Sequence, residues 1–206
     1  YEIGHDFRNE GMDRTHNPEF TMLEAYQAYA DYGDMMRLVE GLVSGVIQEC
    51  LGTLRLERYG TTLDFTPPFA QVRSVEALQS SSGLDVRTAS EAEMRAALLR
   101  AGAPAEAVEA LSGGRLMDEL FKTFVEPQLV HPTFVLDYPS AISPLTRPNR
   151  SDPTLSDRWD LFIAGMEIGP AYSELNDPDI QLAKFTEQQM PSGFPATPLF
   201  GYGGDV

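Results

Sequence analysis

The sequence predicts an α+β fold, mostly antiparallel strands with helices attached. Three observations carry that reading. Strand-like alternation appears near the start, in "EFTMLEAYQAYA" (19–30), and again in the consecutive runs "DRWDLFI" and "MEIGPAY". Between them the apolar period changes to that of a helix over about 34–52. A third segment, 70–112, is Ala/Glu-rich and helical in character.

The elements follow in order. Residues 1–7 alternate loosely and suggest a strand. The run 19–30 predicts a second one, with Phe20, Met22, Glu24, Tyr26 and Ala28 on one face, since side chains alternate along a strand. Glu24 on such a face implies either a solvated face or a buried, partnered charge. The connection "FRNEGMDRTHNPEF" is far longer than the roughly 2–5 residues of a hairpin loop. In "DMMRLVEGLVSGVIQECLG", Met36, Val39, Val43, Val46 and Cys50 fall at helical spacing, with Leu42 and Ile47 beside them. That predicts a helix capped by Asp34 and stopped at Gly52, with Cys50 as a core residue. Residues 54–66 suit a hairpin or an extended arm. Residues 70–112, broken by "SSSG" and Pro104, read as a small inserted helical subdomain. A helix follows over about 114–126, then a buried-type strand in "HPTFVLDYP" (131–139), then a loop containing Pro144 and Pro153. If Ala164–Gly165 is a hairpin turn, Phe162 pairs with Glu167, and Asp160, Phe162 and Glu167 share one face. Asp177 with Pro178 begins a last helix. Residues 190–206 are Pro/Gly-rich and irregular.

Composition narrows the function classes. The chain has 206 residues, 42% of them hydrophobic, enough for one domain or one domain with an inserted subdomain. The net charge of −16 argues against a broad electrostatic footprint for nucleic acid, though not against a local basic site. A single cysteine excludes internal disulfides and cysteine-rich metal centres, and makes a reducing cytoplasm the default setting. No apolar run approaches the length needed to span a membrane. Neither GxxxxGK[ST] nor GxGxxG occurs, so a nucleotide site would hold phosphate with side chains.

Four groups of residues could carry chemistry. Arg8 and Glu10 point the same way on an extended segment, where Arg8 offers a planar fork for carboxylate or phosphate. Taken alone the pair also fits a surface salt bridge. His16-Asn17-Pro18-Glu19-Phe20 combines adjustable donors with a stacking face, and equally fits a plain turn. Glu24, Tyr26 and Glu174 would suit a cation, specifically an amine, were they to converge. By parity Glu174 lies opposite Glu167 unless the chain bends near Gly169–Pro170. Asp160 and Glu167, hard oxygen donors on neighbouring strands, suit Mg²⁺ or are simply solvated.

Read together, "FRNEG…R-THNPEFTMLEAYQAYADY" resembles motif 2 of the class II aminoacyl-tRNA synthetases, lysyl-tRNA synthetase in particular. The likeness continues through "GRLMDELFKTFVEPQLVHPTFVLDYPSAISPL" and "DRWDLFIAGMEIGPAYSELNDP", covering most of 1–185. The resemblance implies an antiparallel sheet flanked by helices, with 70–112 as a small helical insertion. It implies that 1–206 is part of a catalytic domain that activates lysine with ATP and Mg²⁺ and transfers it to tRNA(Lys). It further implies a cytoplasmic enzyme that is a homodimer at full length. On that resemblance Arg8 would hold the α-phosphate and the lysine carboxylate. Glu10 would contact the adenine amino group, His16 and Asn17 would lie beside ATP, and Phe20 would stack on adenine. Glu24, Tyr26 and Glu174 would receive the ε-ammonium, Tyr172 would pack on the lysine side chain, and Asp160 and Glu167 would hold Mg²⁺.

The chain departs from the family pattern at Pro170, where asparagine is usual. Motif 1 would lie before Tyr1, and the tail after residue 190 does not match motif 3. The segment alone is therefore expected to be inactive or nearly so in lysine-dependent pyrophosphate exchange. A competing expectation is a truncated paralogue that binds lysine or ATP in a regulatory role. An aspartate or asparagine enzyme fits less well, because Glu24 and Glu174 offer negative charge.

Overall fold

In a computed structural model, the structure describes residues 1–9, 11–12, 16–58, 60–143 and 145–188. Glu10 and the irregular tail thus lie outside the described residues. The chain divides into two units, Tyr1–Ala30 and Asp31–Val206.

The first unit is an antiparallel pair. Strand β1 (Glu2–Phe7) runs beside β2 (Glu19–Glu24), with Glu2 opposite Glu24 and Phe7 opposite Glu19. The Arg8 backbone amide donates to the Pro18 carbonyl at 2.9 Å, so the two arms stay together beyond the ladder. Phe20 and Met22 are half-buried and alternate with exposed Glu19, Thr21 and Leu23, the face alternation expected. The strand is shorter than expected. It ends at Glu24, where its partner strand also ends, and Tyr29 adopts a left-handed backbone with φ of 58°. Tyr26 and Ala28 therefore share no strand face with Phe20, and Glu24 is solvated rather than buried.

The second unit centres on a four-stranded sheet. Helix α1 (Tyr32–Leu51) leads into a hairpin of β3 (Arg55–Arg58) and β4 (Thr61–Asp64). Strands β5 (Ala70–Arg73), β6 (Thr133–Pro139), β7 (Leu155–Ile163) and β8 (Met166–Tyr172) follow in that spatial order, antiparallel except for the β5–β6 pair. Helices α2 (Ser74–Ser82), α3 (Glu91–Arg100), α4 (Ala105–Glu109) and α5 (Gly114–Phe124) lie between β5 and β6 in sequence, and α6 (Pro178–Gln188) comes last. The segment from residue 70 thus opens with a strand. A four-residue pairing with Thr133–Leu136 leaves little trace in an Ala/Glu-rich composition.

Alternation along the central strands makes two cores. Phe134, Trp159 and Leu161 face one way, packing with Leu63, Phe65, Phe69 and with Met36, Val39, Val43 and Ile47 of α1. Val135, Tyr138 and Phe162 face the other way, packing with Val75, Leu78, Met94, Leu98, Leu116, Leu120 and Phe121. The helices of 74–124 therefore share the core of the sheet.

Helix α1 differs from expectation in its N-cap and in its buried stripe. Its N-cap is Asp31, whose Oδ1 accepts from the amides of Gly33 and Asp34 at 2.9 and 3.1 Å. Asp34 sits three residues on and accepts from the Asp31 amide at 2.9 Å, the reciprocal half of a capping box. The buried stripe continues from Val43 to Ile47 rather than to Val46, which is 51% exposed. Cys50 is exposed in the last turn, not a core residue. The C-terminus at Gly52 is as expected, with φ of 70°. Asp177 caps α6 as expected, accepting from Asp179 and Ile180 at 3.0 and 3.1 Å.

Candidate functional site

In the first unit, Arg8 and Phe20 are brought together. Their strands are adjacent, and the Arg8 guanidinium carbon lies 5.2 Å from the centre of the Phe20 ring. Asp6, two residues earlier, lies 3.8 Å from the Arg8 fork. Half of the Arg8 side chain remains exposed, as do most of His16 and Asn17. Tyr26 is 80% exposed and carries no strand geometry. His5 Nδ1 and Glu19 Oε1 are 3.0 Å apart on the outer face of the ladder. Glu10 lies outside the described residues, so its place beside Arg8 rests on sequence alone.

In the second unit, the β7–β8 hairpin places the remaining residues. Ala164 and Gly165, with φ of 53° and 71°, form the tight turn, and Phe162 stands opposite Glu167 as expected. The register then slips: Leu161 pairs with Gly169 rather than Ile168. This bulge changes the parity of everything beyond it. Asp160 stands opposite Pro170 and Arg158 opposite Tyr172, so Pro170 and Tyr172 come to the face that carries Glu167. Glu174, bridged to Thr146, follows the same shift. This is the irregularity near Gly169–Pro170 under which the parity that set Glu174 opposite Glu167 no longer holds.

The centre of this face is a residue the sequence reading passed over. Arg158 donates from Nε to Asp160 Oδ1 at 2.9 Å and from Nη2 to Oδ2 at 2.7 Å. Its Nη1 donates to Ser143 Oγ at 3.3 Å. Its guanidinium lies 4.5 Å from the Tyr138 ring centre and 5.6 Å from that of Tyr172, one from each neighbouring strand. Asp160 is 2% exposed, so it is neither a solvated acid nor an unpaired one. The available signal was the Arg-x-Asp spacing on a strand, which puts both side chains on one face.

Electrostatics follow from this packing. Glu167 is solvent-exposed, yet partial desolvation against the sheet, then the nearby Asp160 charge, raises its carboxyl above its ordinary range. Burial also raises the Tyr172 hydroxyl; Arg158 opposes that shift, while Asp160, Glu167 and Glu174 reinforce it. Three carboxylates thus act on Tyr172 against one guanidinium. The Tyr138 hydroxyl is pushed well up by burial and by Asp160 beside it, and makes no hydrogen bond of normal geometry among the described residues. Burial disfavours the Arg158 charge, but the Asp160 hydrogen bonds and charge outweigh it, so the guanidinium stays protonated.

On the opposite face, a second network ties α1 to the sheet. The Tyr32 hydroxyl donates to Asp137 at 3.0 Å, and the Trp159 indole donates to the Tyr32 carbonyl at 2.6 Å. Burial and the Asp137 charge push Tyr32 up to about 12. Arg147 and Asn149 both donate to buried Asp157.

Among the described residues no group of three or more His, Cys, Asp or Glu side chains could hold a metal by itself. Asp160, whose two oxygens each accept one Arg158 hydrogen bond, and Glu167 on the adjacent strand are the hard oxygen donors of this face, so Mg²⁺ held by one or two carboxylates would need phosphate oxygens for its other positions. No helix among the described residues is long and apolar enough to cross a membrane.

Comparison with known proteins identifies the family. A model of the tRNA synthetases class II (D, K and N) matches residues 1–196. The chain is 48% identical over 189 residues to a lysine–tRNA ligase of Pelotomaculum thermopropionicum, covering 91% of this chain and 37% of that protein. It is 48% identical over 190 residues to the lysine–tRNA ligase of Roseiflexus castenholzii, covering 91% and 38%. It is 47% identical over 194 residues to that of Synechococcus sp. strain CC9311, covering 92% and 39%. The chain therefore spans less than two fifths of the length of the curated relatives it matches. With a family model matched over nearly its whole length and an antiparallel sheet flanked by helices, the chain belongs to the class II tRNA synthetases of the D, K and N group.

Proposed function

We propose that this chain is the central part of a lysine–tRNA ligase catalytic domain. Within a family that handles aspartate, lysine or asparagine, side-chain charge is what must be told apart. The observation that carries the reading is the acidic surrounding of Tyr172: the strand register brings it to the face of Glu167 and Asp160, and Asp160, Glu167 and Glu174 all push its hydroxyl up while Arg158 opposes them. Such a place favours an ammonium group and disfavours a carboxylate. Asp160 already has Arg158 as its cation, so discrimination falls to Glu167 and Glu174, whose charges attract an ammonium and repel a carboxylate.

The roles are then as follows. Arg8 holds the α-phosphate of ATP and the substrate carboxylate with its planar fork. Phe20 offers its ring to adenine, with Glu10, His16 and Asn17 contributing polar contacts to the nucleotide. Glu24, Tyr26 and Glu174 supply acceptors for the lysine ammonium, and Tyr172 packs on its aliphatic stem. Asp160 and Glu167 serve the Mg²⁺ that accompanies the triphosphate, which supplies charge neutralisation when bound. The reaction is in-line attack of the lysine carboxylate on the α-phosphate with loss of pyrophosphate, then transfer of lysine to the ribose hydroxyl of tRNA(Lys). No covalent link to the protein is needed, so catalysis consists of positioning and charge stabilisation. The full-length protein would act as a cytoplasmic homodimer.

The test is ATP–pyrophosphate exchange by the full-length protein with lysine, aspartate and asparagine in turn. Exchange that depends on lysine is the expected result. Exchange with aspartate or asparagine instead, or with none of the three, overturns the reading.

A further inference from the structure

Arg158 has no role in the function proposed above, yet it touches residues assigned to both substrates. We propose that Arg158 is a positioning residue that locks Asp160, on the nucleotide side, and Tyr172, on the lysine side, into one arrangement. The inference rests on the proposed function for the roles of those two partners, while the lock itself rests on geometry alone.

The geometry is specific in three ways. First, the pair is bidentate, with both Asp160 oxygens accepting from separate guanidinium nitrogens at 2.9 and 2.7 Å. Each oxygen keeps further lone-pair capacity, so the carboxylate is oriented without being fully used. Second, the guanidinium is bounded by rings from both neighbouring strands, Tyr138 at 4.5 Å and Tyr172 at 5.6 Å, and is steadied by Ser143. Third, Arg158 and Asp160 are two residues apart on one strand, so their ion pair cross-links no distant elements. A buried pair of this kind is weak as a source of stability, because desolvation offsets much of its attraction. What it does provide is fixed orientation of a carboxylate and of an aromatic ring that faces Glu167 and Glu174 electrostatically. A lysine at position 158 would keep the charge but lose both the fork and the planar stacking.

The experiment measures exchange kinetics of the full-length protein and its Arg158→Lys variant, with Leu98→Ala as the comparison. Leu98 is fully buried in the helical core, far in sequence from the site, and its truncation destabilises without touching Arg158. Positioning predicts that Arg158→Lys raises KM for lysine and for ATP together by about 10-fold or more, the scale seen when a ligand's supporting partner is lost. Leu98→Ala at matched residual stability leaves both constants within about twofold of the parent. If Arg158→Lys changes neither constant, or changes them no more than Leu98→Ala does, the inference is overturned.

A parent protein without lysine-dependent exchange would instead remove the proposed function. The lock is then decided by denaturant unfolding of Arg158→Met, Tyr172→Leu, Asp160→Asn and the two double variants that include Arg158→Met. Non-additive losses support the lock, and additive losses overturn it.

Discussion

Arg8 and Arg158 are built from the same local pattern and end in opposite conditions. Each sits two residues from an aspartate on extended backbone, and each places its guanidinium over an aromatic ring of a neighbouring strand. Arg8 lies 3.8 Å from Asp6 with 51% of its side chain exposed, whereas Arg158 grips Asp160 at 2.7 Å with 20% exposed. The difference is burial. Water competes for an exposed guanidinium, so its ion pair is weak and its fork remains available to a ligand. In the sheet interior the same kind of pair is dehydrated and held by hydrogen bonds, so the Arg158 fork is taken up by Asp160. An arginine two residues from an aspartate on extended backbone, before it as in Arg158 or after it as in Arg8, is therefore not enough to tell an open guanidinium from a locked one.

Stability measurements break or sharpen that contrast, beginning with the largest effect. Arg158→Met strands a buried carboxylate and should cost about 3–5 kcal/mol, with Asp160→Asn in the same chain restoring part of it. Denaturant unfolding checks this. A loss below about 1 kcal/mol would show that Asp160 is not held as described. Trp159→Ala, on the other face of the same strand, should cost a similar amount, about 3–5 kcal/mol, by emptying the core against α1 and removing the indole bond to Tyr32. Asp31→Ala removes half of the α1 capping box and should cost about 1 kcal/mol, against little change for a surface aspartate without a capping role. Arg8→Ala should change stability by less than about 0.5 kcal/mol while sharply weakening nucleotide-dependent exchange in the full-length protein. Equal stability losses at Arg8 and Arg158 would dissolve the comparison.

The acid beside Arg158 adds a pH test. Glu167 has a carboxyl raised above its ordinary value of 4.5 by partial desolvation and by Asp160. The folded state therefore holds this proton more tightly than the unfolded state, and stability from this group falls as pH rises from about 4.5 through the raised value. Glu167→Gln removes that loss. Relative to the parent, the variant should gain stability between about pH 4 and pH 7, as read from paired denaturation curves. A constant offset across that range would contradict the shift.

Much of the fold was legible in advance because its signals are local. The β7–β8 turn was readable from two consecutive strand-like runs joined at Ala164–Gly165, and Phe162 does pair with Glu167. The caps at Gly52 and Asp177 follow from chemistry confined to one helical turn. The errors came where a long-range partner decides. The short strand β5 exists because β6 offers it an edge. Cys50 fits an apolar stripe on a helical wheel, yet it extends past the surface that covers Ile47.

By itself the sequence determined most of the element types, the end of α1, the start of α6 and the family, since periodicity, capping and long ordered motifs all reside in neighbouring residues. Only the tertiary structure decided the β8 bulge that turns Pro170, Tyr172 and Glu174 toward the face of Glu167, and the burial that separates Arg158 from Arg8. Register depends on which residues a neighbouring strand presents, and the strength of a charge pair depends on how much water the rest of the fold excludes. Neither quantity is a property of a short stretch of chain.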